Sequence, residues 1–162
     1  MTDVMNYKIP KKDDTPYFAK SPYVKELSPK DFDSVATWKL KSKGCSIVLF
    51  YSPWCSYCHA VKDIYEQLGR TALFLDVLAV NCEKHSSHIS KIKEDMPELV
   101  RGYPTIIFYK NGAPVEQFAD ERTHENLLKA CMRICQQSTQ KSDKATQRSS
   151  AKKSSKRNGT KR

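Results

Sequence analysis

The sequence predicts an α/β fold: a central mixed sheet with helices on both faces. Three observations carry this. Ile47 to Tyr51 is an unbroken apolar, β-branched and aromatic run, as in a strand buried on both faces of a parallel sheet. Strand-like runs then alternate with helix-spaced apolar patterns in the order βαβαβαββα. Near the end, Asn111-Gly112 is the strongest two-residue hairpin signal, because it suits positive φ at both central positions.

The elements follow in order. Met1 to Pro22 is polar, with Pro10, Pro16, Pro22 and the run Lys11-Lys12-Asp13-Asp14, and reads as an arm that can lie partly on the domain. Tyr23 to Leu27 is a short strand. Ser28-Pro29-Lys30-Asp31 supplies an N-cap, a proline at the first helical position and an acid three residues after the cap. That predicts a helix to about Leu40, burying Phe32, Val35 and Trp38. Lys43-Gly44 turns the chain into the central strand, which Ser52-Pro53 stops. Val61, Ile64, Tyr65 and Leu68 lie at helical spacing. Leu73 to Asn81 reads as a strand, Ser87 to Glu94 as a short helix, Thr105 to Tyr109 and Val115 to Phe118 as the hairpin strands. The last helix, about His124 to Gln136, buries Leu127, Leu128, Cys131, Ile134 and Cys135.

The chain has 162 residues, enough for one domain with a real core. Hydrophobic content is 39%, low for a wholly globular chain, so part should lie outside the fold. The formal net charge of +10 is uneven. Ser138 to Arg162 holds nine Lys or Arg against one acid, leaving an ordinary balance over Met1 to Gln137. The expected organisation is an arm over 1–22, a domain over 23–137 and a disordered basic tail over 138–162 that cannot offset its chain entropy by burial. The tail reads as a solubilising segment, a nuclear address or a nonspecific anchor on nucleic acid or an acidic surface. No apolar run approaches the roughly 20 residues that span a bilayer, and no stretch reads as a secretory signal or retention signal. The expectation is a reducing compartment, cytoplasmic or nuclear, in which six cysteines need not form three disulfides.

The chemistry concentrates at Cys55 and Cys58. Cys55 stands at the first turn of a helix, straight after the core strand. Unpaired N–H groups and the positive end of the helix dipole favour a thiolate there. Cysteines in Cys-X-X-Cys at such a position have pKa values lowered to roughly 3.5–7.5. The three-residue offset puts both sulfurs on one helical face, with Cys55 as exposed nucleophile and Cys58 as shielded resolving thiol. Two rivals stay open. Cys55-Ser56-Tyr57-Cys58-His59 matches the c-type haem attachment pattern, and Cys82, His85 and His88 could join the pair in a zinc site.

Tyr51-Ser52-Pro53-Trp54-Cys55-Ser56-Tyr57-Cys58, with Arg101-Gly102-Tyr103-Pro104-Thr105, resembles the thioredoxin superfamily in its protein disulfide isomerase branch, over about Tyr23 to Gln137. The resemblance implies a thioredoxin fold and a thiol–disulfide oxidoreductase. Its redox disulfide joins Cys55 and Cys58, its partners are protein disulfides and dithiols, it uses no cofactor or metal, and it is a monomer. It further implies a cis peptide bond at Pro104, a substrate-facing backbone at Tyr103, substrate packing on Trp54, and pKa tuning by Arg122; His59 is a partial stand-in for the isomerase imidazole that this chain lacks. Three departures stand out. Leu49 occupies the position of a buried acid that accepts the resolving thiol's proton. Asp63 replaces a helix-kinking proline. Ser56-Tyr57 replaces the Gly-His of the isomerases. The missing acid predicts slower deprotonation of Cys58 and longer-lived mixed disulfides, unless water or His59 takes its place. The competing reading is a catalytically weak binding module tethered by the basic tail. A compact domain of this kind also resembles the thioredoxin-domain proteins of large DNA viruses, which would place it in host cytoplasm or a virion. Cys45, Cys82, Cys131 and Cys135 are expected to be buried free thiols. Cys131 and Cys135, at i and i+4, are poorly placed for a bond to each other.

Overall fold

The computed structural model describes residues 15–136. The expected basic tail, and most of the arm, lie outside the described residues. The elements are β1 (Lys25–Glu26), a 3-10 turn (Pro29–Asp31), β2 (Cys45–Tyr51), α1 (Ser56–Thr71), β3 (Asp76–Asn81), α2 (Ser86–Asp95), β4 (Thr105–Lys110), β5 (Ala113–Gln117) and α3 (124–136). The sheet order is β1-β3-β2-β4-β5. β1 and β2 run parallel to β3, whereas β4 is antiparallel to both β2 and β5.

Period-two alternation divides the core. Ile47, Leu49, Tyr51, Val77, Ala79, Ile106 and Phe108 face α1 and α3. Val48, Phe50, Leu78, Val80, Ile107 and Tyr109 face α2 and the segment from Leu27 to Leu40. With both neighbours paired and both faces covered, Ile47 to Tyr51 have no solvent exposure. The hairpin turn is as the sequence requires: Asn111 has φ 51° and Gly112 φ 84°. The arm is not wholly detached. Phe18 is buried in the α1 core, and Tyr17 packs against it.

Three expectations need correction. The helix from Ser28 to Leu40 is a single turn. The Asp31 carboxylate does accept the Ser28 N–H (2.9 Å), but Asp33 Oδ1 then accepts the N–H groups of Val35 (2.8 Å) and Ala36 (2.9 Å). A side chain that satisfies the backbone this way competes with helix propagation. Phe32 and Leu40 instead meet in an antiparallel bridge; Phe32 is buried, Trp38 is half-buried, and Val35 is 87% exposed. The strand expected from Leu73 begins only at Asp76, because Leu73 and Phe74 form the exposed turn after α1.

The third correction concerns Cys45 and Cys135, expected to be thiols. They form a disulfide across 90 positions, with Cα atoms 5.8 Å apart, tying the start of β2 to the end of α3. Cys82 and Cys131 are buried free thiols as expected. A cross-link of that span removes about 4–5 kcal/mol of chain entropy from the unfolded state in the loop-closure treatment, and measured values are usually about 2–4 kcal/mol. Cys135→Ala is accordingly expected to lower the unfolding free energy by about 2–4 kcal/mol in urea titration. An unchanged midpoint would show that the bond adds nothing.

Candidate active site

β2 ends at Tyr51, and Ser52-Pro53 redirects the chain into α1. Cys55 is the N-cap of α1, in extended backbone, and Cys58 lies one turn in. Cys55 N–H donates to the Ser52 carbonyl (3.1 Å), closing the turn that aims the thiol outward. Cys55 is half-buried and Cys58 wholly buried, and both are free thiols in this structure. Burial pushes the Cys58 thiol up to about 12. A backbone hydrogen bond from Ser52 opposes that rise, contact with Cys55 adds to it, and the positive charge of Arg122 eases it. The two sulfurs therefore differ as the sequence predicts: one reachable, one sheltered and reluctant to ionise.

The second motif faces them. The Tyr103–Pro104 peptide is cis, and Cys55 Sγ lies 3.5 Å from the Tyr103 carbonyl. This is the juxtaposition that the resemblance implied for Tyr103 and Pro104. Trp54 (38% exposed) and Tyr57 (69% exposed) form an aromatic rim beside Cys55. Arg122 is exposed in the loop before α3, within electrostatic reach of Cys58. His59 is exposed on α1, its ring 5.1 Å from that of Tyr17. Among the described residues no three His, Cys, Asp or Glu side chains are grouped to hold a metal. His88 instead packs against Phe32 at 4.7 Å, and Cys82 belongs to the core on the α2 face.

Sequence reasoning missed a second layer behind this site. The position of the expected buried acid, Leu49, pairs with Ala79, and Ala79 pairs with Glu26 on β1. Paired residues of neighbouring strands share a sheet face. Glu26 thus lies in the same row as Leu49, two strands away, facing the α1 core. Tyr51, on that face too, donates its hydroxyl to Glu26 Oε1 (2.5 Å), and the Phe18 N–H donates to the same oxygen (3.1 Å). The Tyr17 N–H donates to the Tyr51 hydroxyl (2.8 Å), and the two rings stack at 4.4 Å. The Tyr17 hydroxyl donates to the Pro53 carbonyl (2.9 Å), with the Ser52 carbonyl at 3.4 Å. Burial and then the charges of Cys58 and Cys55 push the Tyr17 phenol up to about 12. The available signals were small: an aromatic pair, Tyr17-Phe18, in a polar arm, and a carboxylate in a two-residue strand.

A dithiol at a helix start, opposite a cis-proline loop, on a mixed sheet covered by helices on both faces, defines the thioredoxin-fold class. The chain belongs to the thioredoxin family: residues 23–133 match the family described as Thioredoxin. It is 30% identical over 112 residues to a protein disulfide-isomerase like 2-2 from Arabidopsis thaliana, covering 68% of this chain and 23% of that one. It is 28% identical over 95 residues to the protein disulfide-isomerase MPD1 of Saccharomyces cerevisiae, covering 58% and 28%. The chain thus spans about a quarter of the length of these relatives. Among solved structures, the J-Trx1 fragment of ERdj5 superposes with a TM-score of 0.60 at 24% identity, covering 74% of this chain and 55% of the fragment. That likeness concerns the fold.

Burial pushes the Glu26 carboxyl above its ordinary range, against the bonds from Tyr51 and Phe18 and the charge of Lys84. A group raised in this way adds stability that is fully present below its unfolded value and is lost as pH rises through its folded value. In Glu26→Gln one oxygen can still accept both bonds, but the group does not ionise. The variant is expected to match the parent's Tm at about pH 4 and to exceed it at pH 7. Thermal unfolding across that range checks this, and a variant less stable than the parent at pH 7 would contradict it.

Proposed function

We propose that this domain is a thiol–disulfide oxidoreductase acting on protein disulfides through Cys55 and Cys58. The observation that carries the reading is the pairing of a half-exposed Cys55 at the helix N-cap with a buried Cys58 behind it, opposite the Tyr103 carbonyl. The Cys55 thiolate attacks one sulfur of a substrate disulfide, forming a mixed disulfide and releasing the other sulfur as a thiolate. The Cys58 thiolate then attacks Cys55 Sγ. The remaining substrate sulfur leaves with its electron pair, and Cys55–Cys58 becomes the disulfide. Two electrons pass to the substrate, and the reverse sequence oxidises a dithiol. Trp54, Tyr57 and the Tyr103 backbone supply the docking surface around the attacking sulfur.

Resolution is the slow half of this cycle. The Cys58 thiol sits near 12, and the chain has Leu49 where an acid would take its proton. Long-lived mixed disulfides follow, a property suited to retaining clients as well as to turning them over. The Cys45–Cys135 bond supports a working compartment in which structural disulfides persist, in place of the reducing compartment expected from the sequence.

Insulin-reduction turnover is expected in the parent and should vanish in Cys55→Ser. Cys58→Ser should instead accumulate mixed disulfides, recoverable after acid quench and alkylation, with Cys45 and Cys135 protected in the same samples. Turnover that survives Cys55→Ser would remove Cys55 as nucleophile. Below its pKa a thiolate fraction grows about tenfold per pH unit. The resolution rate should therefore climb about tenfold per unit between about pH 7 and 9. Arg122→Gln withdraws a charge that favours the Cys58 thiolate, so resolution should slow by about twofold, a modest effect for a screened, exposed cation. A rate flat in pH would mean that deprotonation of Cys58 does not limit resolution.

A further inference from the structure

Ser52 is the hinge between the two thiols. Its carbonyl accepts the Cys55 N–H, and its own backbone hydrogen bond favours the Cys58 thiolate. Whatever fixes Ser52 therefore bears first on the ionisation of the resolving thiol, while Cys55 keeps its place at the helix N-cap. Its side chain leans on Glu83, with Oγ to Oε1 at 3.3 Å. The firmer hold comes from outside the active-site motif. Tyr17, 35 residues upstream of Ser52, lies over the turn and bonds the Pro53 carbonyl while reaching that of Ser52. It is itself pinned on three sides. Tyr51 stacks beneath it and accepts its N–H, His59 lies against its edge, and Lys62 Nζ sits 5.2 Å above its ring. Glu26 anchors the assembly by accepting from Tyr51 and from the residue after Tyr17.

We propose that Tyr17 is a positioning residue of the dithiol site, a strap held by Tyr51 and Glu26 that fixes the Ser52–Pro53 turn so that Cys58 can resolve the mixed disulfide on Cys55. The inference rests on the oxidoreductase reading above and adds to it a control element from the arm. Tyr17 touches neither substrate nor the exchanging sulfurs; it acts through the turn. Its hydroxyl acts on the Ser52 and Pro53 carbonyls, next to the Ser52 backbone bond that favours the Cys58 thiolate. Loosening it should therefore leave the first attack largely intact and retard the second. Glu26 contributes as an acceptor that needs no charge for the purpose, since both of its bonds converge on one oxygen.

The test uses the full chain with Cys55 and Cys58 reduced and the Cys45–Cys135 bond intact, and Ellman's reagent. Cys55 displaces one thionitrobenzoate and becomes a mixed disulfide. Cys58 then displaces the second, leaving the Cys55–Cys58 bond. Stopped-flow absorbance reads the two releases as separate phases. Tyr17→Phe keeps the stacked ring and the N–H but deletes the bond to Pro53. It is expected to slow the second phase at least about threefold while leaving the first within about twofold. Glu26→Leu, which breaks the anchor, should do the same, and Glu26→Gln, which keeps the acceptor, should restore the parent rate. Combining Tyr17→Phe with Glu26→Leu should add little to either alone, as residues of one unit are not additive. Parent-like second phases in both Tyr17→Phe and Glu26→Leu would overturn the proposal. So would equal slowing of both phases with a fall in Tm, the mark of a general loss of structure. If the unsubstituted chain gives no second release at all, the dithiol reading itself fails, a result distinct from either.

Discussion

The constraint on which the molecule depends is the complete burial of β2. Ile47 to Tyr51 pair with β3 on one side, Ile47 to Phe50 pair with β4 on the other, and helices or packed loop cover both faces. Such a strand can carry only side chains that need no water, and an unpaired charge there would cost several kcal/mol. It gives the fold a rigid axis and delivers its last residues to a fixed place at the edge of the core. The Cys55 thiol is aimed because the strand before it cannot move and the helix after it begins at once. Cys58 is sheltered because it falls on the face of α1 that the same strand buries.

Much of this was legible in the sequence for one reason: it depends on local pattern. β2, the α1 periodicity and the Asn111-Gly112 hairpin each rest on residues within a few positions of one another. Cys55, Cys58 and the Tyr103-Pro104 loop were legible because two short motifs resemble one family's site. What could not be read depends on distance or on competition. The Cys45–Cys135 bond joins positions 90 apart, and nothing near either cysteine announces the other. Ser28 to Asp31 forms its cap as expected, but Asp33 then captures the backbone two and three residues on. The helix signal was real and a stronger local bond ended it. Tyr17 lies in a segment whose polarity and prolines argue for an arm, and its partners are 34 and more residues away.

Tyr17 changes how the domain is bounded. The family match begins at residue 23, yet Tyr17 and Phe18 bond to residues at and behind the dithiol turn. Ring stacking, a backbone donor and a buried acceptor hold this segment on a surface that the core alone would leave open above α1. Removing it would uncover the ring of Tyr51 and leave the Glu26 oxygen with Tyr51 as its donor, without that of Phe18.

An apolar Leu49 on β2, with the carboxyl of Glu26 in the same row on β1, also bears on which of two ways of helping Cys58 is open. An acid at Leu49 would stand directly behind the helix start and could take the thiol's proton. Glu26, in the same row two strands away, is about 10 Å from that position, given the spacing between adjacent strands. Tyr51 bridges part of the gap and commits its proton to Glu26. Tyr17 joins Tyr51 through a backbone N–H, while its own hydroxyl proton points at the Pro53 carbonyl. A proton leaving Cys58 therefore cannot travel through these bonds to the carboxyl. On the proposed reading the network works by geometry, holding Ser52, whose backbone bond favours the Cys58 thiolate, with the charge of Arg122 as a smaller aid. The Tyr17 strap, on that reading, serves the resolving step with no acid at Leu49. With the carboxyl on the edge strand β1, Ile47 to Phe50 of β2 carry only apolar side chains, and Tyr51 reaches the carboxyl from the strand's end.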